Sequence, residues 1–208
     1  IGEPGMNNLI KGPIRILDEL MSRGHVRIFK ERTSLITFLF HGLFADPNEI
    51  KVAGIDPLEK TTIGSFRHFI EYFLGCGYNV ISPDDILEGL KDDEKYLLIT
   101  FDDGYFNNYR ALPILKEFNV PAVFFISTYH VLNNKCYWWD VLYRERMKKG
   151  STENEIYTEG SWLKSLTAGE IENYLTEEFG GNALEPVSDI DRPFTPSELK
   201  EFDSEELV

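Results

Sequence analysis

The chain has 208 residues, with 35 acidic against 21 basic side chains and a formal charge of −14. Apolar residues make up 42% and aromatics 13%, which suits a packed core and excludes a wholly disordered chain. The acidic balance excludes a general nucleic-acid binder and a protein docked on anionic membranes, because no basic face can be assembled from it.

Residues 151–208 hold 15 of the acidic residues and 3 of the basic ones; such a run predicts a solvated helical face. Cys76 and Cys136 make no disulfide framework and read as free thiols. No stretch approaches the ~20 apolar residues of a membrane span. The N-terminus lacks a basic-then-apolar leader, so a cytoplasmic or already processed chain is expected.

Ile14 to Arg23 reads as a helix, with Pro13 at its first turn and Gly24 past its end. Leu35 to Phe40 is a short apolar run that predicts a strand buried on both faces. Residues 41–62 read as a long loop rich in Gly, Pro, Asp and Asn, a length that usually carries function. Ile63 to Leu74 is an amphipathic helix with Phe66, Phe69, Ile70 and Phe73 on one face, stopped by Gly75 and Gly77. Tyr78 to Ser82 is a second strand. Ser82 then caps a helix with Pro83 at its first position, running to about Leu90. Tyr96 to Phe101 is a third strand, and Asn107 to Phe118 a helix interrupted by Pro113. Val120 to Ile126 is a fourth strand. Strands and helices alternating at this spacing predict a parallel sheet covered on both faces.

Tyr137-Trp138-Trp139-Asp140 leads into a helix to about Lys149, and residues 150–166 are weakly patterned. Thr167 to Glu170 is a capping box opening a helix that stops at Gly180-Gly181. Thr195-Pro196-Ser197-Glu198 opens another near Pro196. The whole is expected to be a single domain, with 150–208 an acidic helical segment.

The sharpest chemical feature is Thr100-Phe101-Asp102-Asp103-Gly104. Two adjacent carboxylates at the C-terminal end of a parallel strand lie where α/β sheets build sites. Their mutual repulsion is relieved by a divalent cation, which leaves the second carboxylate as a base. Asp at such a turn also serves simply as a helix cap. His41 ends the Leu35–Phe40 strand and is expected at the same edge. His130 follows the fourth strand and is a weaker candidate; His25 lies in a turn, and His68 lies off its helix's apolar stripe. There is no helical His pair, Gly-x-Ser-x-Gly elbow, Walker loop or GxGxxG.

The run Leu98 to Asn108, then Ala111-Leu-Pro-Ile-Leu-Lys116, then Val120-Pro-Ala-Val-Phe-Phe-Ile-Ser127, resembles the polysaccharide deacetylase family, the NodB-homology domain of carbohydrate esterases. Phe40-His41, Phe66 to Ser82 and Tyr137 to Asp140 extend the likeness, which is best over residues 35–145. The resemblance implies a distorted (β/α) barrel of this type, incomplete at its C-terminal end. It implies a hydrolase that removes N-acetyl or O-acetyl groups from a carbohydrate polymer, with a divalent metal, zinc first, as cofactor. By residue match, Asp102 would be the general base and Asp103 a metal ligand, with His41 near the site as a second ligand. Tyr105, Phe106, Tyr129, Trp138 and Trp139 are aromatic candidates for stacking on a sugar. The expected partner is an N-acetylated sugar polymer, with no nucleic acid and no membrane span.

The family's His-[Ser/Thr]-x-x-His ligand pair has no counterpart in these 208 residues. A carbohydrate-binding pseudoenzyme or an inactive deacetylase fragment is therefore the standing alternative. A dehalogenase-type phosphohydrolase would need a residue between its two aspartates, and Asp102 and Asp103 are adjacent. An acidic protein-interaction module is a further alternative, resting on residues 151–208.

Overall fold

The computed structural model describes residues 34–52, 55, 61–205 and 207–208. The helix expected at Ile14–Arg23 and His25 lie outside the described residues. Among the described residues four parallel strands make one sheet: β1 (Ser34–Phe40), β2 (Tyr78–Val80), β3 (Lys95–Phe101) and β4 (Val123–Phe124). β3 is central. β1 pairs along its full length, from Ser34 opposite Lys95 to Phe40 opposite Phe101. β2 and β4 share the other side of β3, with Tyr78–Val80 opposite Lys95–Leu97 and Val123–Phe124 opposite Thr100–Phe101. The architecture is α/β with a parallel sheet. Among the described residues the strands form an open sheet, where the expectation was a barrel incomplete at its C-terminal end.

Because the strands are parallel, the residues that follow β1, β3 and β4 meet at one edge. These are His41, the Asp102–Asp103 pair and Phe125 to Ser127. Helix α1 (Pro47–Val52) occupies part of the stretch read as loop, where Glu49 accepts from the Ala45 amide and pairs with Arg110. Helix α2 (Ile63–Gly75) is held by a reciprocal Thr62–Ser65 capping box and buries Phe66, Ile70 and Phe73. Phe40 meets Phe66 edge-on at 5.2 Å between ring centroids, and Phe38 meets Phe69 at 4.7 Å. This aromatic layer covers one face of β1. The other face is open: Leu35 is 40% and Leu39 52% exposed. The expectation of a strand buried on both faces is corrected, because only Ile36, Phe38 and Phe40 reach the core.

Helix α3 (Pro83–Glu88) starts at Ser82 as expected. The helical stretch expected at 107–118, interrupted by Pro113, is a 3₁₀ turn (Phe106–Ala111) followed by helix α4 (Leu112–Phe118). Pro113 is the cause: its missing N–H confines it to the first turn of a new helix. β4 is shorter than expected, although the Phe125 amide still donates to the Phe101 carbonyl at 2.8 Å.

Beyond the sheet lie helices α5 (Thr128–Asn133), α6 (Trp138–Lys148), α7 (Glu153–Leu163), α8 (Ala168–Phe179) and α9 (Pro196–Phe202). Helix α7 falls in the stretch read as weakly patterned. Its start signal was present: Thr152 accepts from the Glu155 amide, and the Glu155 side chain returns to the Thr152 amide. Val141, Leu142, Ile156, Leu163, Ile171 and Leu175 make a second core among α6, α7 and α8. The acidic segment is not simply a solvated face. Arg146 on α6 binds Glu159 on α7 and Glu178 on α8, so part of its charge ties the helices together. No described helix is long and apolar enough to cross a membrane.

The Arg192 fork grips Glu198 in the first turn of α9 at 2.8 and 2.9 Å. With the Thr195 amide and hydroxyl, it holds the Glu198 carboxyl down to about 2. Its stabilisation is therefore complete above the ordinary glutamate value of about 4.3 and disappears as pH falls toward 2. Glu198→Gln should cost about 2 kcal/mol at pH 7, with most of that cost gone by pH 2. Thermal melts of both proteins across that range check this; an unchanged difference at pH 2 would refute it.

Candidate active site

The Asp102 amide donates to the Phe40 carbonyl at 2.8 Å, which sets the end of β3 beside the end of β1. The chain then turns sharply. The Gly104 amide donates back to the Asp102 carbonyl at 2.9 Å, and Asp103 between them has φ 71°. A three-residue turn of this kind is strained for a residue other than glycine, though Asp tolerates it better than most. The neighbours hold it in place. Tyr137 donates its hydroxyl hydrogen bond to the Asp103 carbonyl at 2.8 Å, and the Ser127 amide donates to the same oxygen at 2.9 Å.

Gly104 completes the turn at φ 85°. A Cβ there would sit 3.0 and 3.1 Å from the Ile126 side chain. Gly104→Ala should therefore cost about 2–3 kcal/mol through strain and overpacking together, or roughly 4–12 °C in Tm. Adding Ile126→Val should restore part of the loss. An unchanged melting temperature in the single variant would refute the account.

Asp102 and Asp103, both half-buried, line an open depression of about 290 Å³ with Phe125, Ile126 and Ser127. His41 Nε2 lies 3.9 Å from Asp103 Oδ2. The loop carrying His41 is fixed from the 3₁₀ turn. Asn107 Oδ1 accepts from the Leu43 amide at 3.0 Å, Asn108 Nδ2 donates to the His41 carbonyl, and Arg110 donates to the Leu43 carbonyl at 3.1 Å. The structure thus brings together His41, Asp102 and Asp103. Among the described residues no three His, Cys, Asp or Glu side chains are grouped to hold a metal. His41 and Asp103 are two converging donors, one short of the three protein ligands of a hydrolytic zinc site. The described residues do not by themselves fit a closed metal site.

The aromatic candidates divide. Tyr105 is only 2% exposed, its ring lies 4.3 Å from that of Tyr137, and its hydroxyl donates to Asp140 at 2.6 Å while accepting from Trp139 Nε1 at 2.9 Å. Burial, with the Asp140 charge, pushes its hydroxyl well above the ordinary tyrosine value. It sits beneath the site, with no ring face open to a sugar, because Tyr137 and α6 cover it. Phe106 packs against Phe194 and under Arg192. Trp138, Trp139 and Tyr129 instead line a groove of about 260 Å³ with His130, Cys136 and Glu172. Groove and depression share a wall: Ser127 Oγ lies 2.7 Å from His130 Nδ1. Burial lowers the His130 value, which favours the neutral ring. His68 is exposed and pairs with Glu71 on its own helix, away from the sheet edge.

Phe125 and Ser127 lie at this site without having been singled out from sequence, and Phe125 is 58% exposed. The signal was available, since they follow β4 as Asp102 and Asp103 follow β3. Asn107 and Asn108 had no such signal, because their role is to hold a loop some 65 residues earlier in the chain.

Residues 89–168 match the family described as Polysaccharide deacetylase. Over 66 residues the chain is 40% identical to the candidate polysaccharide deacetylase YxkH of Bacillus subtilis (strain 168), a match covering 29% of this chain and 24% of that protein. Among solved structures, the Streptococcus pyogenes deacetylase PplD in complex with acetate is 23% identical, with 48% of this chain and 45% of that one covered at a TM-score of 0.39. IcaB from Ammonifex degensii is 19% identical, with 55% and 51% covered at 0.39. A de-N-acetylase from Aggregatibacter actinomycetemcomitans is 22% identical, with 58% and 52% covered at 0.39. The chain spans about a quarter of the curated relative it matches and about half of these solved chains.

Proposed function

We propose that this chain, whose residues 89–168 are a polysaccharide deacetylase family segment, removes N-acetyl groups from a carbohydrate polymer. The observation that carries the reading is the Asp102–Asp103 pair, which ends β3 inside that segment with His41 Nε2 3.9 Å from Asp103. Water adds to the acetyl carbonyl, the C–N bond breaks, and acetate and a free amino sugar leave.

Asp102 is the base. It takes the proton of the attacking water and returns it to the nitrogen as the C–N bond breaks, a role that needs a carboxylate at the rim of an open depression. Asp103, turned by its strained backbone toward the same space, orients with His41 the polar end of the substrate. In the family a divalent metal polarises the carbonyl. Here two donors converge without a third among the described residues, so the step assigned to these side chains is proton transfer and orientation alone.

That incomplete donor set favours one second reading, a carbohydrate-binding protein without turnover. The test is acetate release from N-acetylglucosamine oligomers, run beside phosphate release from an aryl phosphate. Acetate release supports the deacetylase. Sugar binding without acetate selects the second reading. Phosphate release without either overturns both.

A further inference from the structure

We infer that the groove between α6 and α8 is a second sugar-binding subsite, which seats one pyranose ring of the polymer beside the ring whose acetyl group enters the Asp102–Asp103 depression. The inference rests on the proposed function and names how that site takes its substrate. Three observations carry it.

The first is an aromatic floor. Trp139 stacks on Tyr137, with ring centroids 5.2 Å apart and planes 21° apart, and Trp138 meets Trp139 edge-on at 80°. Tyr137 backs Trp139 from below and is itself fully buried, so the indole is held rigidly as a wall of the groove. A pyranose has C–H faces that pack on such rings.

The second is a polar rim. Tyr129 donates to Glu172 Oε1 at 2.7 Å, and Lys135 Nζ donates to Glu172 Oε2 at 2.6 Å and to the Tyr129 hydroxyl at 3.0 Å. The carboxylate and the phenol line the groove, held in place by the Lys135 ammonium, and match the hydroxyl edge of a sugar. Small-molecule sites combine apolar walls with a few placed polar groups in this way. The groove, at about 260 Å³, has room for one ring rather than a run of polymer.

The third is continuity. Ser127 belongs to the depression and His130 to the groove, and the two are joined at 2.7 Å. Tyr137, which supports the groove floor, also holds the Asp103 carbonyl. A chain crossing this shared wall occupies both places at once.

The test uses the 208-residue protein in a Trp162→Phe background, so that indole fluorescence reports only Trp138 and Trp139. The ligands are N-acetylglucosamine and its di-, tri- and tetrasaccharide, with calorimetry in parallel. We expect affinity to rise at least tenfold from one ring to two or more. Ala168→Glu, at an exposed groove-lining position at the start of α8 where an acid suits the helix dipole, should block the groove and remove that gain. Trp138→Ala should do the same. Asp102→Asn should leave the length dependence intact while stopping acetate release.

Groove-dependent binding without acetate release leaves the subsite standing and removes the deacetylase reading. Acetate release indifferent to Ala168→Glu does the reverse. No binding of any oligomer, or binding unaltered by both groove variants, overturns the subsite.

Discussion

Asp102→Asn should lower acetate release by about 10²–10⁴-fold, the range contributed by a positioned general base, with the melting temperature unchanged. The side chain lines the open depression at the end of β3, and the substitution keeps its size while removing its capacity to accept a proton at neutral pH. The backbone contact that positions it, the Asp102 amide on the Phe40 carbonyl, is untouched. Asp103→Asn should act differently. Asn tolerates the left-handed backbone at this position as Asp does, so the turn survives, while the charge facing His41 is lost. Its effect should fall on both KM and kcat if it orients substrate. The check is kcat and KM for acetate release beside a thermal melt of each variant. Activity of Asp102→Asn within threefold of the parent would remove Asp102 from the role of base.

Asp191→Ala should destabilise the protein by about 3–5 kcal/mol, the cost of breaking a buried ion pair from one side, equivalent to roughly 6–20 °C in Tm. Asp191 is almost fully buried. One carboxylate oxygen accepts from Arg144 Nη1 at 2.6 Å and from the Cys136 thiol at 3.3 Å, and the other accepts from the Ser188 amide at 2.7 Å. Removing it leaves a buried guanidinium short of one partner and strands the Val187 and Ser188 amides. Burial, together with the Asp191 charge, also pushes the Cys136 thiol far up, so it stays a neutral donor.

The control is Asp191→Asn, which retains an acceptor for the amides and should lose less. An Arg144→Met, Asp191→Leu double variant should cost much less than the two single losses added together. Because Cys136 and Leu184 join this cluster to the groove wall, Asp191→Ala should also weaken oligosaccharide binding at temperatures where the fold persists. Melts of the single and double variants decide the matter; additive losses would show that the pair does not act as a unit.

What the sequence determined by itself was local. Capping boxes at Thr167 and Thr195, the Ser82-Pro83 start and the stop at Gly75 to Gly77 were legible because each signal lies within a few residues of the backbone groups it satisfies. The same logic covered Thr152 and Glu155, whose helix went unread only because its apolar spacing is weak. The α/β class and the edge carrying Asp102 and Asp103 followed from apolar runs alternating with helices, since parallel strands bring their C-terminal ends together.

What tertiary structure alone decided was which side chains are covered and which distant ones meet. Arg144 stands among charged neighbours on α6, yet it is buried because Asp191, 47 residues later, folds over it. Tyr105 lies two residues past Asp103 and is still under the site, since Tyr137 and Asp140 arrive at the start of α6 to enclose it. The exposed face of β1 was likewise invisible in its unbroken apolar run. Burial and long-range pairing depend on what packs against a residue, and no short window of sequence contains the partner.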